Sequence, residues 1–189
     1  MKELWILAAV FFTLTVNAQQ HYETSKIKDN VKTTYTFIIP AGWDVSYSIA
    51  KKYNAEIAYL HSADSYRSPK ATIHINHVPF DRHDEAMEDI IDYDMEGYLE
   101  FSDVMVSNNK KITIDGGKSL AIIKHIRGAS DADFMAIAYI PEAENITTVT
   151  LVSNNDGNFY ESLKVFEEIV LSYQKRTEHL AVITKNSYY

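Results

Sequence analysis

Between Thr34 and Tyr47 the chain alternates apolar and polar residues twice over. Tyr35, Phe37 and Ile39 fall on one face of a first run and Trp43, Val45 and Tyr47 on one face of a second, leaving Thr34, Thr36, Asp44 and Ser46 on the other side. A period of two predicts half-buried strands. Pro40 between them fixes φ and removes a donor, and Gly42 admits conformations closed to other residues, so the corner is specified locally and sets the register of a hairpin. The expected result is a wide apolar wall that needs a cover.

The same period returns at Asn54 to Ser62 and at Ala71 to Val78, predicting a third and a fourth strand with a loop from Ala63 to Lys70 between them. The pattern then changes. Met87, Ile90, Ile91, Met95 and Tyr98 recur at helical intervals behind Asp81, a candidate N-cap, and predict an amphipathic helix with an acidic outer face. Four further β-like runs follow, at Val104 to Ile114, Leu120 to Ile126, Phe134 to Ile140 and Thr147 to Val152. Their short turns imply antiparallel pairing. Phe159, Leu163, Phe166, Val170 and Tyr173 form one helical stripe behind Asn155 and Asp156, so a last helix is expected to close the core.

At the N-terminus, Lys2 precedes an apolar run from Leu4 to Val16, and Val16-Asn17-Ala18 offers small residues where a signal peptidase cuts. Residues 1–18 therefore read as a secretory signal, too short to span a bilayer comfortably as a helix. Residues 19–32 read as a polar N-terminal segment, 33–173 as a single domain, and 174–189 as a tail with a short apolar stretch, Leu180 to Ile183. The location expected is secreted or periplasmic, with no stable membrane insertion once the signal is removed. The chain has no cysteine, which excludes disulfides, thiol catalysis and lipid attachment at a cysteine after the signal.

Of 189 residues, 46% are hydrophobic and 23% charged, ordinary for a globular protein. The net charge of −8 is placed unevenly: residues 81–100 hold nine acids against Arg82, and the remainder carries 17 acids and 17 bases. An acidic chain without a basic stripe is a poor ligand for nucleic acid or anionic lipid. On the helix, Glu88, Asp92 and Glu96 form a possible partner-binding face, which would steer a cationic protein surface by charge; the plainer role of such acids is solubility.

The order F-x-I-P-x-G-W, strand pair, amphipathic helix, I-T-I-D-G-G-K-S-L-A, aromatic strand and F-E-E-I-V-L-S-Y helix resembles the PsbP/MOG-like superfamily from about Thr33 to Tyr173. The resemblance implies an α+β fold, an α-β-α sandwich around an antiparallel β-sheet. Its motifs are Pro40, Gly42 and Trp43 at the corner, Gly116 or Gly117 before a strand, and Phe166 and Tyr173 at the last helix, all of them structural. Members include photosystem accessory proteins, a nuclear-import cofactor and exported bacterial proteins, mostly acting by binding. No catalytic residue carries over, because fold does not fix function.

Candidate chemistry centres on four histidines, His61, His74, His77 and His83. A divalent metal could be held by His77, His83 and Asp81, whereas His74 and His77, three apart on a strand, point to opposite faces. The alternative leaves His74 solvated and His77 capping a buried face. Ser62, His61 and Asp64 lie close in sequence, but no nucleophile-elbow or S-x-x-K pattern accompanies them. The carboxylate pairs Glu88 with Asp92 and Glu85 with Asp89 lack the enclosing cleft that acid–base work needs. The six glycines form no phosphate or dinucleotide loop, so no cofactor is expected. Asn145-Ile146-Thr147 matches a glycosylation sequon at a strand start. Tyr47, Tyr53, Tyr59 and Tyr66 could line a groove, although tyrosine is also common in strands and cores.

The expectation is an exported, non-catalytic binding or accessory module with a protein partner in the cell envelope. Two alternatives stand beside it: a metal-dependent enzyme or metal carrier using His77 and His83, and a carrier of a small apolar ligand in a cavity of roughly 300 Å³ or more lined by Tyr and Phe.

Overall fold

A computed structural model describes residues 19–28, 31–65, 67–79, 86–100, 103–107, 110–129, 132–142 and 145–179. The expected signal, residues 1–18, lies outside them, as do Tyr66, Asp81, His83 and Leu180 to Ile183.

Among the described residues the centre is an antiparallel sheet of eight strands. In chain order these are β3 (Trp43–Val45), β4 (Ile57–His61), β5 (Ala71–Pro79), β6 (Met105–Val106), β7 (Lys110–Ile114), β8 (Ser119–Ala129), β9 (Ala132–Pro141) and β10 (Asn145–Ser153). They lie side by side as β3-β4-β5-β10-β9-β8-β6, with β7 also paired to β8. A second sheet of three strands places β2 (Val31–Ile39) between β1 (Gln20–Lys28) and β11 (Gln174–His179).

Both faces of the large sheet are apolar, so both are covered. On one face Ile73, Ile75, Ala136, Ala138, Val149 and Leu151 pack against α3 (Asp156–Leu171) and against Tyr35, Phe37 and Ile39 of β2. The opposite face supplies Ile122, Ile126, Met135, Ile137 and Val152, which receive Ile91 and Met95 of α2 (Met87–Leu99). Ala58 and Leu60 on that side receive Ile49 and Ala50 of α1 (Tyr47–Lys52). The result is an α+β sandwich with helices on both sides of an antiparallel sheet. The two stripes expected for the long helices are the ones buried. Asn155 caps α3 as expected, its side chain accepting from Asn158 N at 3.2 Å.

Several expectations require correction. The Pro40-Ala41-Gly42 corner does not close a hairpin: β2 and β3 belong to different sheets, and the corner, with Gly42 at φ 89°, carries the chain from one to the other. Tyr47 leaves the strand and opens α1, where it is exposed, because Ser46 caps the helix by accepting from Ile49 N at 3.4 Å. The polar segment after residue 19 is strand β1, paired with β2 along its length, and residues 174–179 are strand β11 on the other side of β2. The run Val104 to Ile114 contains two short strands, β6 and β7. Helix α2 starts at Met87 with Ala86 at its cap position, later than Asp81 would place it, and has no side-chain cap.

Candidate functional site: an acidic helix face

Helix α2 lies on the sheet through Ile91 and Met95, which turns the stripe Asp89, Tyr93, Glu96 and Glu100 outward, with Asp92 and Leu99 on its flanks. Residues three and four apart share a helix face, so these side chains form one surface. Tyr93 is 66% exposed and Leu99 56%. Two large apolar groups thus stand in water among acids.

The three acids singled out in the sequence behave differently from one another. Glu88 Oε1 meets Lys111 Nζ of β7 at 2.6 Å, and this lysine holds the Glu88 carboxyl below its usual range. Asp92 Oδ1 lies 3.9 Å from Nζ of Lys124, a lysine of β8 whose stem is buried beneath the helix. Glu96 is exposed, in the middle of the outward stripe. A fourth acid, Asp94, accepts a hydrogen bond from the hydroxyl of Tyr139 on β9. Burial, then the charge of Asp94, pushes the Tyr139 phenol far above its ordinary range, so it stays a donor. The acids therefore divide by role: Glu88, Asp92 and Asp94 bind the helix to the sheet, while Asp89, Glu96 and Glu100 face outward. Only the tertiary register could show which lysine or tyrosine reaches which acid.

The histidines point in three directions. His61 is exposed at the rim of a cleft, its Nδ1 accepting from Ala63 N at 3.3 Å. His74 is not solvated: it is buried on the α1 face, its ring 4.3 Å from that of Tyr53, with Nε2 2.8 Å from Thr72 Oγ1. Burial, then the charge of Lys52, lowers its pKa to about 4. His77 takes the opposite face, where Nδ1 meets Glu56 Oε2 at 2.9 Å and the side chain is 1% exposed. Its Nε2 is buried and has no hydrogen-bond partner among the described residues. The proposed ligands Asp81 and His83 lie outside the described residues, and among those described no three His, Asp or Glu side chains converge on a metal site.

The tyrosine groove does not assemble: Tyr59 is in the core, Tyr47 is exposed on α1, Tyr53 stacks on His74, and Tyr66 is outside the described residues. Asn145 and Thr147 of the sequon are buried in β10. Ser62, His61 and Asp64 do not form a catalytic chain, because His61 Nδ1 accepts from Ala63 N and Asp64 Oδ2 accepts from Lys70 N at 3.0 Å, so each is engaged by main chain instead of by the other. His61 and Asp64 border a cleft of about 330 Å³ between the Trp43 corner and α3, lined also by Trp43, Lys70 and Glu161. That lining mixes charged side chains with Trp43, Ala71 and Val165, and holds none of the Tyr and Phe expected around an apolar ligand.

The fold of this chain, an antiparallel sheet covered on one face by a long helix and a small sheet and on the other by two helices, has a counterpart among solved structures. The chain is similar to cyanobacterial PsbP (CyanoP) from Synechocystis sp. PCC 6803, at 12% identity and a TM-score of 0.53 over 86% of this chain and 95% of that one. The Ran-binding protein Mog1p from Saccharomyces cerevisiae also aligns, at 9% identity and a TM-score of 0.48 over 83% of this chain and 96% of that one. No family model and no curated protein matches the sequence. The likeness to CyanoP establishes the PsbP/MOG-like fold, and at such identity it speaks to fold alone.

Proposed function

We propose that the protein is an exported, non-catalytic binding or accessory module that docks through the outward face of α2 onto a basic protein surface in the cell envelope. The observation that carries this reading is the exposure of Tyr93 and Leu99 amid Asp89, Glu96 and Glu100 on a helix whose other acids are occupied. Aromatic groups framed by charge supply contact area at little entropic cost, and the acids steer a cationic partner toward them. Among the described residues no helix is long and apolar enough to cross a membrane. Export rests on residues 1–18 acting as a signal; an intact mass lacking them, with Gln19 first, supports it, and a mature chain retaining Leu4 to Val16 rejects it.

The docking test begins with capture of a partner from the envelope and continues with purified components. Asp89→Asn, Glu96→Gln and Glu100→Gln together slow association about tenfold without altering the fold, raising ionic strength slows the wild type likewise, and Tyr93→Ala speeds dissociation. Association and dissociation rates unchanged in all three experiments reject the reading.

A further inference from the structure

On the α1 face, at the end of the large sheet's β5–β10 pair where β5 starts and β10 finishes, lies a recess of about 130 Å³. Its wall includes Lys52 and Tyr53 at the end of α1, Arg67 and Ser68 from the β4–β5 loop, Thr72 of β5, and Asn154 just beyond β10. No carboxylate lines it, in a protein of net charge −8. Among the described residues neither Lys52 nor Arg67 forms an ion pair; the Lys52 ammonium instead lies 3.4 Å from Tyr53 Oη and 4.8 Å from the centre of its ring. A lysine at the end of a helix complements the carbonyls there, but that accounts for neither the arginine nor the missing acids.

The wall is held in place from behind. Tyr53 stacks on buried His74, whose Nε2 meets Thr72 Oγ1 at 2.8 Å. Arg67 N donates to Ser65 Oγ at 3.3 Å, and Ser68 N to Ser65 O at 3.1 Å. Ser153 Oγ donates to Lys70 O at 2.8 Å, fastening the end of the loop to β10. Lys52, Tyr53, Arg67, Ser68, Thr72 and Asn154 thus border one space of about four water volumes. Arginine presents a planar fork suited to oxyanions, and lysine a point charge.

We propose that this recess binds a tetrahedral oxyanion, phosphate or sulfate, either free or as the terminal group of a larger molecule. The space is too small for a nucleotide. An anion beside Lys52 offsets the positive charge that helps keep His74 neutral, so occupancy raises the His74 pKa.

The test is titration of the mature protein with inorganic phosphate and with sulfate at constant ionic strength set by chloride, followed by calorimetry and by the imidazole resonances. Saturable binding at one site is expected, together with an upward shift of the His74 titration. Lys52→Gln and Arg67→Gln each weaken binding tenfold or more, whereas Lys118→Gln, in the β7–β8 turn, leaves it unchanged. Tighter binding of inorganic phosphate than of glycerol phosphate identifies a free ion as the ligand; the reverse identifies a terminal phosphoryl group. No saturable response to any of the three anions overturns the proposal. So does binding that survives Arg67→Gln undiminished, or binding confined to phosphatidic acid vesicles, which would show attraction to a charged surface rather than occupancy of the recess.

Discussion

The hydroxyl of Tyr139, buried on β9, donates to the carboxylate of Asp94 on α2. This bond joins a helix without a side-chain cap to the middle of the sheet. Tyr139→Phe keeps the ring and deletes the donor. A hydrogen bond to a charged group contributes about 1.5–3 kcal/mol when shielded; with Asp94 itself exposed, the expected loss is about 1–2 kcal/mol. Denaturant titration measures it, and an unchanged midpoint would mean that the helix is held to the sheet without this bond.

Trp43 is 4% exposed, packed in the main core and edge-on to His61 with 6.1 Å between ring centres. Its burial ties the corner between the two sheets to the main core. Trp43→Ala is expected to cost about 3–5 kcal/mol, a large share of the about 5–15 kcal/mol typical of a domain. A loss below about 1 kcal/mol in equilibrium unfolding would contradict the packing described.

His74 makes stability depend on pH. Its folded pKa, about 4, lies below the unfolded value of 6.5, so on acidification the unfolded chain takes up the proton first. Stability is complete above pH 6.5 and falls as the pH drops toward 4, by about 2 kcal/mol at pH 5. His125, also lowered by burial and by Lys110, adds in the same direction. His74→Phe preserves the stack on Tyr53 and should flatten the profile between pH 6.5 and 5. A variant whose stability falls as steeply as the wild type's assigns the effect to other groups.

Gly128 has φ 84°, and a Cβ built there would lie 2.9 Å from the carbonyl oxygen of Asp103. The left-handed conformation alone costs other residues about 1–2 kcal/mol, and the contact adds to it. Gly128→Ala should therefore lower the unfolding free energy, measured by denaturant titration, by at least that amount. Equal stability of the two proteins would show that the segment around Asp103 can withdraw.

The long elements were legible because their burial is periodic. Phe159, Phe166 and Val170 on α3, and Ile73 and Ile75 on β5, announce their buried faces through spacing alone. Helix α1 was not legible: it has six residues, too few for a helical period, and Trp43, Val45 and Tyr47 continue the alternation of a strand across its start. Strands β1 and β11 escaped for a different reason. Sequences such as QHYETSKIK and QKRTEH show little apolar alternation, since their pairing with β2 supplies the order that side-chain burial does not. At the candidate face, Glu88, Asp92 and Glu96 were visible as a charge cluster. That Lys111 and Lys124 occupy the first two depends on how β7 and β8 lie beneath the helix. The recess with Lys52 and Arg67 was likewise hidden, because its wall comes from four stretches of chain brought together by the sheet.

The small sheet has a mechanical consequence. Gln20 pairs with Ile39 and His179 with Val31, so β1 begins at one end of β2 and β11 finishes at the other, about 26 Å away. A stretching force applied beyond these two residues pulls β1 and β11 in opposite directions along β2. Such a load acts in shear, across many ladder hydrogen bonds at once, instead of peeling them open singly. The protein should therefore resist being pulled apart by its ends far better than its equilibrium stability alone would indicate.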